Sequence, residues 1–214
     1  MKITIATRNA HKFRELRALL ATPGVRWTSL REFPHVPPVR EDGRTFAVNA
    51  IKKARAVARM TGHLTVADDS GLEVEALGGA PGIRSARFAG AHGDDTMNNR
   101  KLTRLLDGVP SSKRRARYRC VLALASPTRL LALTHGTWSG RIALSPRGRG
   151  GFGYDPVFLV PGIGKTVGEL PLRVKQRLSH RAKAAASMRM LLRRLSARRR
   201  ADSGASRPGR GRPA

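Results

Sequence analysis

The sequence predicts an α/β protein with a mixed central β-sheet flanked by helices. Three observations carry that prediction. In the first half of the chain, short β-branched runs alternate with amphipathic stretches, the pattern of strands joined by crossover helices. Over residues 116–144 consecutive alternating segments take over and read as an antiparallel β-meander. Finally, 214 residues at 40% hydrophobic content suffice to build one good-sized core.

The elements follow in order. "ITIAT" (3–7) is a first strand, and the helix after it carries Phe13, Leu16 and Leu20 on one stripe. A turn-rich connector with at most one strand leads to the clearest amphipathic helix, from Thr45 to about Met60. There Phe46, Ala50, Ala54 and Val57 fall within an arc of about 80° at 100° per residue. "LTVAD" (64–68) is a strand, "DSG" a turn, and "LEVEAL" (72–77) a segment able to pair back with it. Asp94 and Asp95 are N-cap candidates for a helix bearing Met97, Leu102, Leu105 and Leu106. The meander is "ARYRCVLALA", "RLLALTHG" and "TWSGRIAL", followed by a glycine loop and a short strand "PVFLV". Ser179 caps a last helix whose Ala185, Met188, Leu192 and Leu195 face inward. Beyond Leu195 no large apolar residue remains, so residues 1–195 are read as one domain and 196–214 as a disordered basic tail.

Composition narrows the class. No apolar run approaches the ~20 residues of a membrane span, and "MKITIATRNAHK" lacks a signal-peptide core, which predicts a cytoplasmic protein. The single cysteine, Cys120, sits in apolar "RCVLALA" and reads as a buried small hydrophobe. A formal charge of +28, from 42 Lys+Arg against 14 Asp+Glu, points to a polyanionic partner, nucleotide or nucleic acid. With 5% aromatics and no recognition motif, nucleic-acid contact through the basic tail would be non-specific and accessory.

Two phosphate-loop patterns fail on context. Gly148, Gly150 and Gly153 satisfy G-x-G-x-x-G but lead into a strand, not a helix. "PGIGKT" (161–166) lacks the first glycine of a P-loop, because position 159 is Leu. The six histidines show no metal spacing, and no G-x-S-x-G elbow is present.

The residues with chemical promise are elsewhere. Along an extended strand Asp68 continues the Leu64/Val66 face, whereas Asp69 shares a face with Thr65 and Ala67, so the two carboxylates do different jobs. The alternative is that "DSG" is an Asx-turn. Glu41 or Asp42 either favours the start of the following helix or, in the case of Glu41 together with Asp69, supplies oxygen ligands for Mg²⁺. Asn49 and Lys53 are i, i+4 neighbours beside the apolar stripe, where Lys53 either snorkels or projects into a cleft. Thr7, Asn9 and Lys12 lie where the first strand enters its helix, a junction suited to an anion as well as an ordinary capped turn.

Five ordered motifs now stand together: "ATRNAHK", "EDGRTFAVNAIKKA", "ADDSGLEVEALGGAPGIRSARFAG", "GGFGYDPVF" and "GKTVGEL" with "SHRAKA". In this order they resemble the inosine/xanthosine triphosphate pyrophosphatase family over residues 1 to about 195. The resemblance implies a cleft between two lobes and Mg²⁺-dependent hydrolysis of ITP, dITP and XTP to monophosphate and pyrophosphate, by a homodimer. It implies phosphate contacts from Thr7, Asn9, Lys12 and Lys53, and metal ligation by Glu41 and Asp69, with Asp69 also the base for the attacking water. Asp68 would support that centre and Ser70 would touch substrate. Phe152 would stack on the base, Gly153, Tyr154 and Asp155 would shape its pocket, and Lys175, His180 and Arg181 would complete it. Arg181 is a candidate donor to a 6-oxo purine.

Several positions depart from the family pattern. Arg8 places a cation in the first loop, where many members have Gly, and is a further candidate phosphate contact. Arg40 stands where relatives often carry an acid, which leaves Glu41 as the ligand. Arg84, Arg173 and Val174 are further departures that remove no catalytic group.

Overall fold

The structure is a computed structural model that describes residues 1–90 and 93–205, with side chains through Arg198. Its strands are β1 (Lys2–Ile5), β2 (Arg26–Ser29), β3 (Leu64–Val74), β4 (Arg115–Ala125), β5 (Leu130–Ile142) and β6 (Phe158–Leu159). Its helices are α1 (Ala10–Leu19), α2 (Phe46–Thr61), α3 (Asp95–Leu105), α4 (Leu172–Leu178) and α5 (His180–Ala205). The strands form one sheet in the order β2-β1-β3-β4-β5-β6. β1 runs parallel to β2 and β3, and the remaining pairs are antiparallel, so the sheet is mixed as expected.

Burial explains which way the chain crosses. Leu16, Leu19 and Leu20 from the α1 segment pack with Ile3, Ile5 and Val66, and with Ala185, Met188 and Leu192 of α5. Phe46, Ala50, Ala54 and Val57 of α2 pack with Ala67, Val121 and Ala123. Alternate residues of β3 and β4 therefore feed two cores on opposite faces of the sheet. α1 leads from β1 to β2 on one side, and α2 leads from β2 to β3 on the other. Chains that diverge from a strand in this way leave a crevice at its carboxyl end, which is where β1 meets "ATRNAHK".

The long strands reach past these helices. β3 pairs with β4 from Thr65↔Ala125 to Val74↔Ala116, and β4 pairs with β5 as far as Arg115↔Arg141. Their far ends build a second lobe in which Leu72, Val74, Tyr118, Trp138 and Phe158 pack with Leu102 of α3 and Leu106, which caps it. Glycine lets the layers touch where they must. A Cβ on Gly136 would lie 2.0 Å from the His180 carbonyl oxygen, so only glycine lets the start of α5 rest on β5.

Four expectations need correction. "DSG" is not a turn: β3 runs unbroken through Asp68, Asp69, Ser70 and Gly71, because β4 supplies ladder partners along the whole length. Gly71 is there for close approach, since a Cβ would meet the Gly82 carbonyl oxygen at 2.4 Å. The three-stranded meander is a two-stranded hairpin, β5 being continuous across Gly136. On α3 and its C-cap, Leu102 and Leu106 are buried but Met97 and Leu105 are 47% and 46% exposed. Finally, α5 continues ten residues past Leu195, to Ala205. Its Ala and Arg residues favour a helix, and Ser196 is buried with its hydroxyl donating to the Pro23 carbonyl at 3.3 Å. The tail beyond, 206–214, lies outside the described residues.

Candidate active site

One cleft of about 960 Å³ lies between the lobes. It is lined by Thr7, Arg8, Asn9, Lys12, Glu41, Lys53, Asp69, Ser70, Phe152, Gly153, Tyr154, Asp155, His180 and Arg181. Of the residues the resemblance assigns to the site, Asp68 and Lys175 do not line it; both are buried.

The floor is β3. Its period of two sends adjacent carboxylates to opposite faces. Asp68, 1% exposed, faces α1 and α5, where Lys12 Nζ lies 3.2 Å and Arg181 Nε 3.6 Å from Oδ2. Burial by itself would raise this acid, but Lys12, Arg181 and Lys53 outweigh it and hold Asp68 well below the usual carboxylate range. Asp69 faces α2. Its Oδ1 accepts from the Ser70 N–H at 3.0 Å, and its buried Oδ2 has no hydrogen-bond partner among the described residues. Burial, with the Glu41 charge adding to it, pushes Asp69 up to about 6 despite Lys53.

Glu41 reaches the same place from the loop before α2. Thr45 caps α2 by accepting from the Val48 N–H at 3.1 Å, so "REDG" is left free for other work. The Asn49 amide oxygen accepts from the Gly43 N–H at 2.7 Å, and Arg87 donates to the Glu41 carbonyl at 3.1 Å. These bonds fold the loop over the cleft, where the Glu41 carboxylate pairs with Lys53. Asp42 turns outward to Lys52, so of the two acids only Glu41 faces the cleft. Lys53, one turn after Asn49, does not snorkel: its side chain is 12% exposed. Burial would lower its pKa, but Asp68, Glu41 and Asp69 more than compensate and keep it charged.

At the carboxyl end of β1, Asn9 caps α1 by accepting from the N–H groups of His11 and Lys12 at 2.8 and 3.0 Å. The plain reading of Asn9 as a cap is therefore correct, and its amide nitrogen is what remains for a ligand. Arg8 donates to the Val36 carbonyl and straps the 33–39 loop beside the cleft.

The opposite end is aromatic. Phe152 has Lys175 Nζ 4.3 Å and Arg181 Cζ 5.1 Å from its ring centroid, and the His11 ring at 5.9 Å. Asp155 ties this end together: Oδ2 accepts from Lys175 at 2.6 Å and from the Phe152 N–H at 3.0 Å, and Oδ1 accepts from the Tyr118 hydroxyl at 3.3 Å. Tyr118 stacks on His180 at 4.6 Å and 9°. Burial first, then the Arg181 and Lys175 charges, depress His180 well below its ordinary pKa and keep the imidazole neutral. The Tyr154 hydroxyl donates to the Ser85 carbonyl at 2.9 Å. The glycine loop is thus anchored from several sides.

Sequence reasoning missed Glu15, Ser85, Arg87 and Tyr118. Glu15 is the most telling. It is 8% exposed, 166 residues from Arg181 in the chain, and accepts from Arg181 Nη1 at 3.2 Å while Ser70 Oγ accepts from Nη2 at 2.8 Å. The signal available was an acid among few, one position before the buried Leu16 of an amphipathic helix.

A mixed sheet with a cleft that is cationic and carboxylate-bearing at one end and aromatic at the other defines an α/β protein shaped for a nucleotide. The chain belongs to the Ham1 family, whose sequence profile matches residues 3–191. It is 51% identical over 195 residues to the dITP/XTP pyrophosphatase of Desulforamulus reducens, covering 91% of this chain and 97% of that protein. It is 54% identical over 183 residues to the dITP/XTP pyrophosphatase of Geobacillus kaustophilus, covering 86% and 90%. Among solved structures, a HAM1 protein from Coxiella burnetii superposes with a TM-score of 0.82 at 39% identity, over 90% of this chain and 98% of its own.

Proposed function

We propose that this protein hydrolyses the deaminated purine nucleoside triphosphates ITP, dITP and XTP to monophosphate and pyrophosphate, keeping them out of DNA and RNA. The observation that carries this reading is a single cleft joining a crowded carboxylate pair flanked by lysines to an anchored aromatic wall. Relatives at about 50% identity named dITP/XTP pyrophosphatases support it.

A Mg²⁺ ion fits the carboxylate end. Asp69 Oδ2 is buried without a partner and its charge is raised in energy by burial and by Glu41, a strain that a cation relieves. Among the described residues no three His, Cys, Asp or Glu side chains converge, so Glu41 and Asp69 would hold the ion with water and substrate oxygens completing it. Bound there, the metal would supply charge neutralisation to the phosphates.

The remaining work falls to the chain's own groups. Lys12, Lys53, Arg8, Thr7, the Asn9 amide nitrogen and the start of α1 hold the triphosphate. Asp69, facing the cleft beside Lys53, takes the proton of the attacking water as the anhydride between the α and β phosphates opens. Asp68 fixes Lys12 and Arg181, and Ser70 contacts substrate. Phe152 stacks on the purine in a pocket shaped by Gly153, Tyr154 and Asp155, with Lys175 and neutral His180 at its back. The free N–H groups of Arg181 donate to the oxygen of a 6-oxo purine and leave adenine's amino group unpaired.

Pyrophosphate release from ITP, dITP and XTP against dATP, dGTP and dUTP, with and without Mg²⁺, tests this reading. Equal turnover of all six, or none, overturns it. The reading includes a homodimer in the cytoplasm. The outer face of α2, where Val48 is 49% exposed above a groove of about 450 Å³, is a surface a second copy would cover, and sedimentation tests it. No helix among the described residues is long and apolar enough to cross a membrane. Nucleic-acid contact through the basic tail, testable by salt-dependent RNA binding with and without residues 196–214, would be a side property.

A further inference from the structure

From the geometry we infer that Asp95 and Asn99 on α3 are specificity-positioning residues, a clamp that holds the base-stacking loop in its working shape. This rests on the proposed function, in which Phe152 meets the purine.

The clamp begins as two doublets in "DDTMNN" (94–99). The first member of each serves local structure: Asp94 caps α3 by accepting from the Met97 N–H at 2.9 Å, and the Asn98 side chain accepts from the Ala89 N–H at 2.7 Å. The second members reach the glycine loop, within the same lobe. Asp95 Oδ2 accepts from the Gly153 N–H at 2.6 Å, and Asn99 Nδ2 donates to the Gly153 carbonyl at 2.9 Å. Positions i and i+4 lie one above the other on a helix face, so the two side chains grip the donor and the acceptor of one residue.

The grip has a geometric consequence. The Gly153 N–H belongs to the peptide group after Phe152, and its carbonyl to the peptide group before Tyr154. Fixing both orients the chain on each side of Gly153, whose φ of 65° favours glycine. The Phe152 N–H is held by Asp155 at 3.0 Å. Three successive peptide groups are thereby fixed, and with them the direction of the Phe152 ring. Asn99 is buried and also donates to the Asp95 carbonyl at 2.8 Å, which locks the donor itself. The charged bond to Asp95 is the stronger member of the pair. Neither side chain is needed to hold phosphates, since the residues placed there belong to α1, α2 and the loops before them.

The test compares wild type with Asp95→Ala, Asp95→Asn and Asn99→Ala, using steady-state dITP hydrolysis and inhibition by inorganic tripolyphosphate, a ligand with no base. In Asp95→Ala the KM for dITP should rise roughly tenfold to hundredfold, the span of one charge-assisted hydrogen bond. The inhibition constant of tripolyphosphate should stay within about twofold of wild type, which also reports an intact fold. Asp95→Asn keeps an acceptor and should restore most of the dITP KM. Asn99→Ala should shift the same ratio less, and carries the test if Asp95→Ala does not fold. Equal weakening of dITP and tripolyphosphate, or an unchanged dITP KM in an active enzyme, overturns the clamp. A wild type that does not hydrolyse dITP instead overturns the proposed function.

Discussion

Replacing Asp69 by Asn should stabilise the metal-free protein at alkaline pH while abolishing its activity. Asp69 is 5% exposed and its pKa rises from 3.8 to about 6 on folding, so the native state holds a proton that the unfolded chain has released. Below the unfolded value both states are protonated and the carboxyl costs nothing. The penalty grows as pH climbs between the two values and is complete above about 6. A shift of about two units corresponds to ~3 kcal/mol, or roughly 5–10 °C in Tm for a domain of this size. In EDTA at pH 8, Asp69→Asn should melt that much above wild type, and the gap should close near pH 4. Mg²⁺ should raise the wild-type Tm at pH 8 and leave the variant's unchanged, because the ion relieves a charge the variant lacks. A variant that melts at or below wild type at pH 8 would refute the view of Asp69 as a strained carboxylate awaiting a cation.

Other outcomes follow from the same contacts. Phe152→Ala should raise the KM for dITP by about tenfold or more, the loss of one base stack, with a smaller effect on kcat. Arg181→Ala should erase the preference for ITP over ATP and leave Glu15 buried without its cation, while Asp68 keeps Lys12, at about 3–5 kcal/mol in denaturant titrations; retained preference would remove Arg181 from base recognition. Asp68→Asn should destabilise more at pH 7 than at pH 3. Its folded pKa is depressed, so the stability it contributes is present above the unfolded value of 3.8 and is lost as pH falls toward the folded one. Gly136→Ala forces a methyl to 2.0 Å from the His180 carbonyl and should lower Tm by the equivalent of about 1–3 kcal/mol or more, with activity falling as the start of α5 lifts.

Much of the architecture was legible because its causes are local. The stripe of Phe46, Ala50, Ala54 and Val57 marked α2, Thr45 marked its start, and Asn9 marked the start of α1. Strand periodicity alone put Asp68 and Asp69 on opposite faces, and the structure gives them different partners there. The breaks were misjudged for a shared reason. Asp-Ser-Gly at 69–71 and Gly136 carry turn chemistry locally, yet both lie inside strands whose neighbours satisfy the backbone. The short α4, with no long apolar stripe, gave little to read.

At the site, the sequence by itself determined which residues carry charge, which cap helices and which face each strand presents, because those follow from side-chain chemistry and the periods 2.0 and 3.6. Tertiary structure alone decided the pairings. Glu41 meets Lys53 because Asn49 and Arg87 hold its loop. Glu15 meets Arg181 across 166 residues, and Asp95 meets Gly153 across 58. Such contacts depend on how the layers pack, and no local periodicity encodes a distance between residues so far apart in the chain.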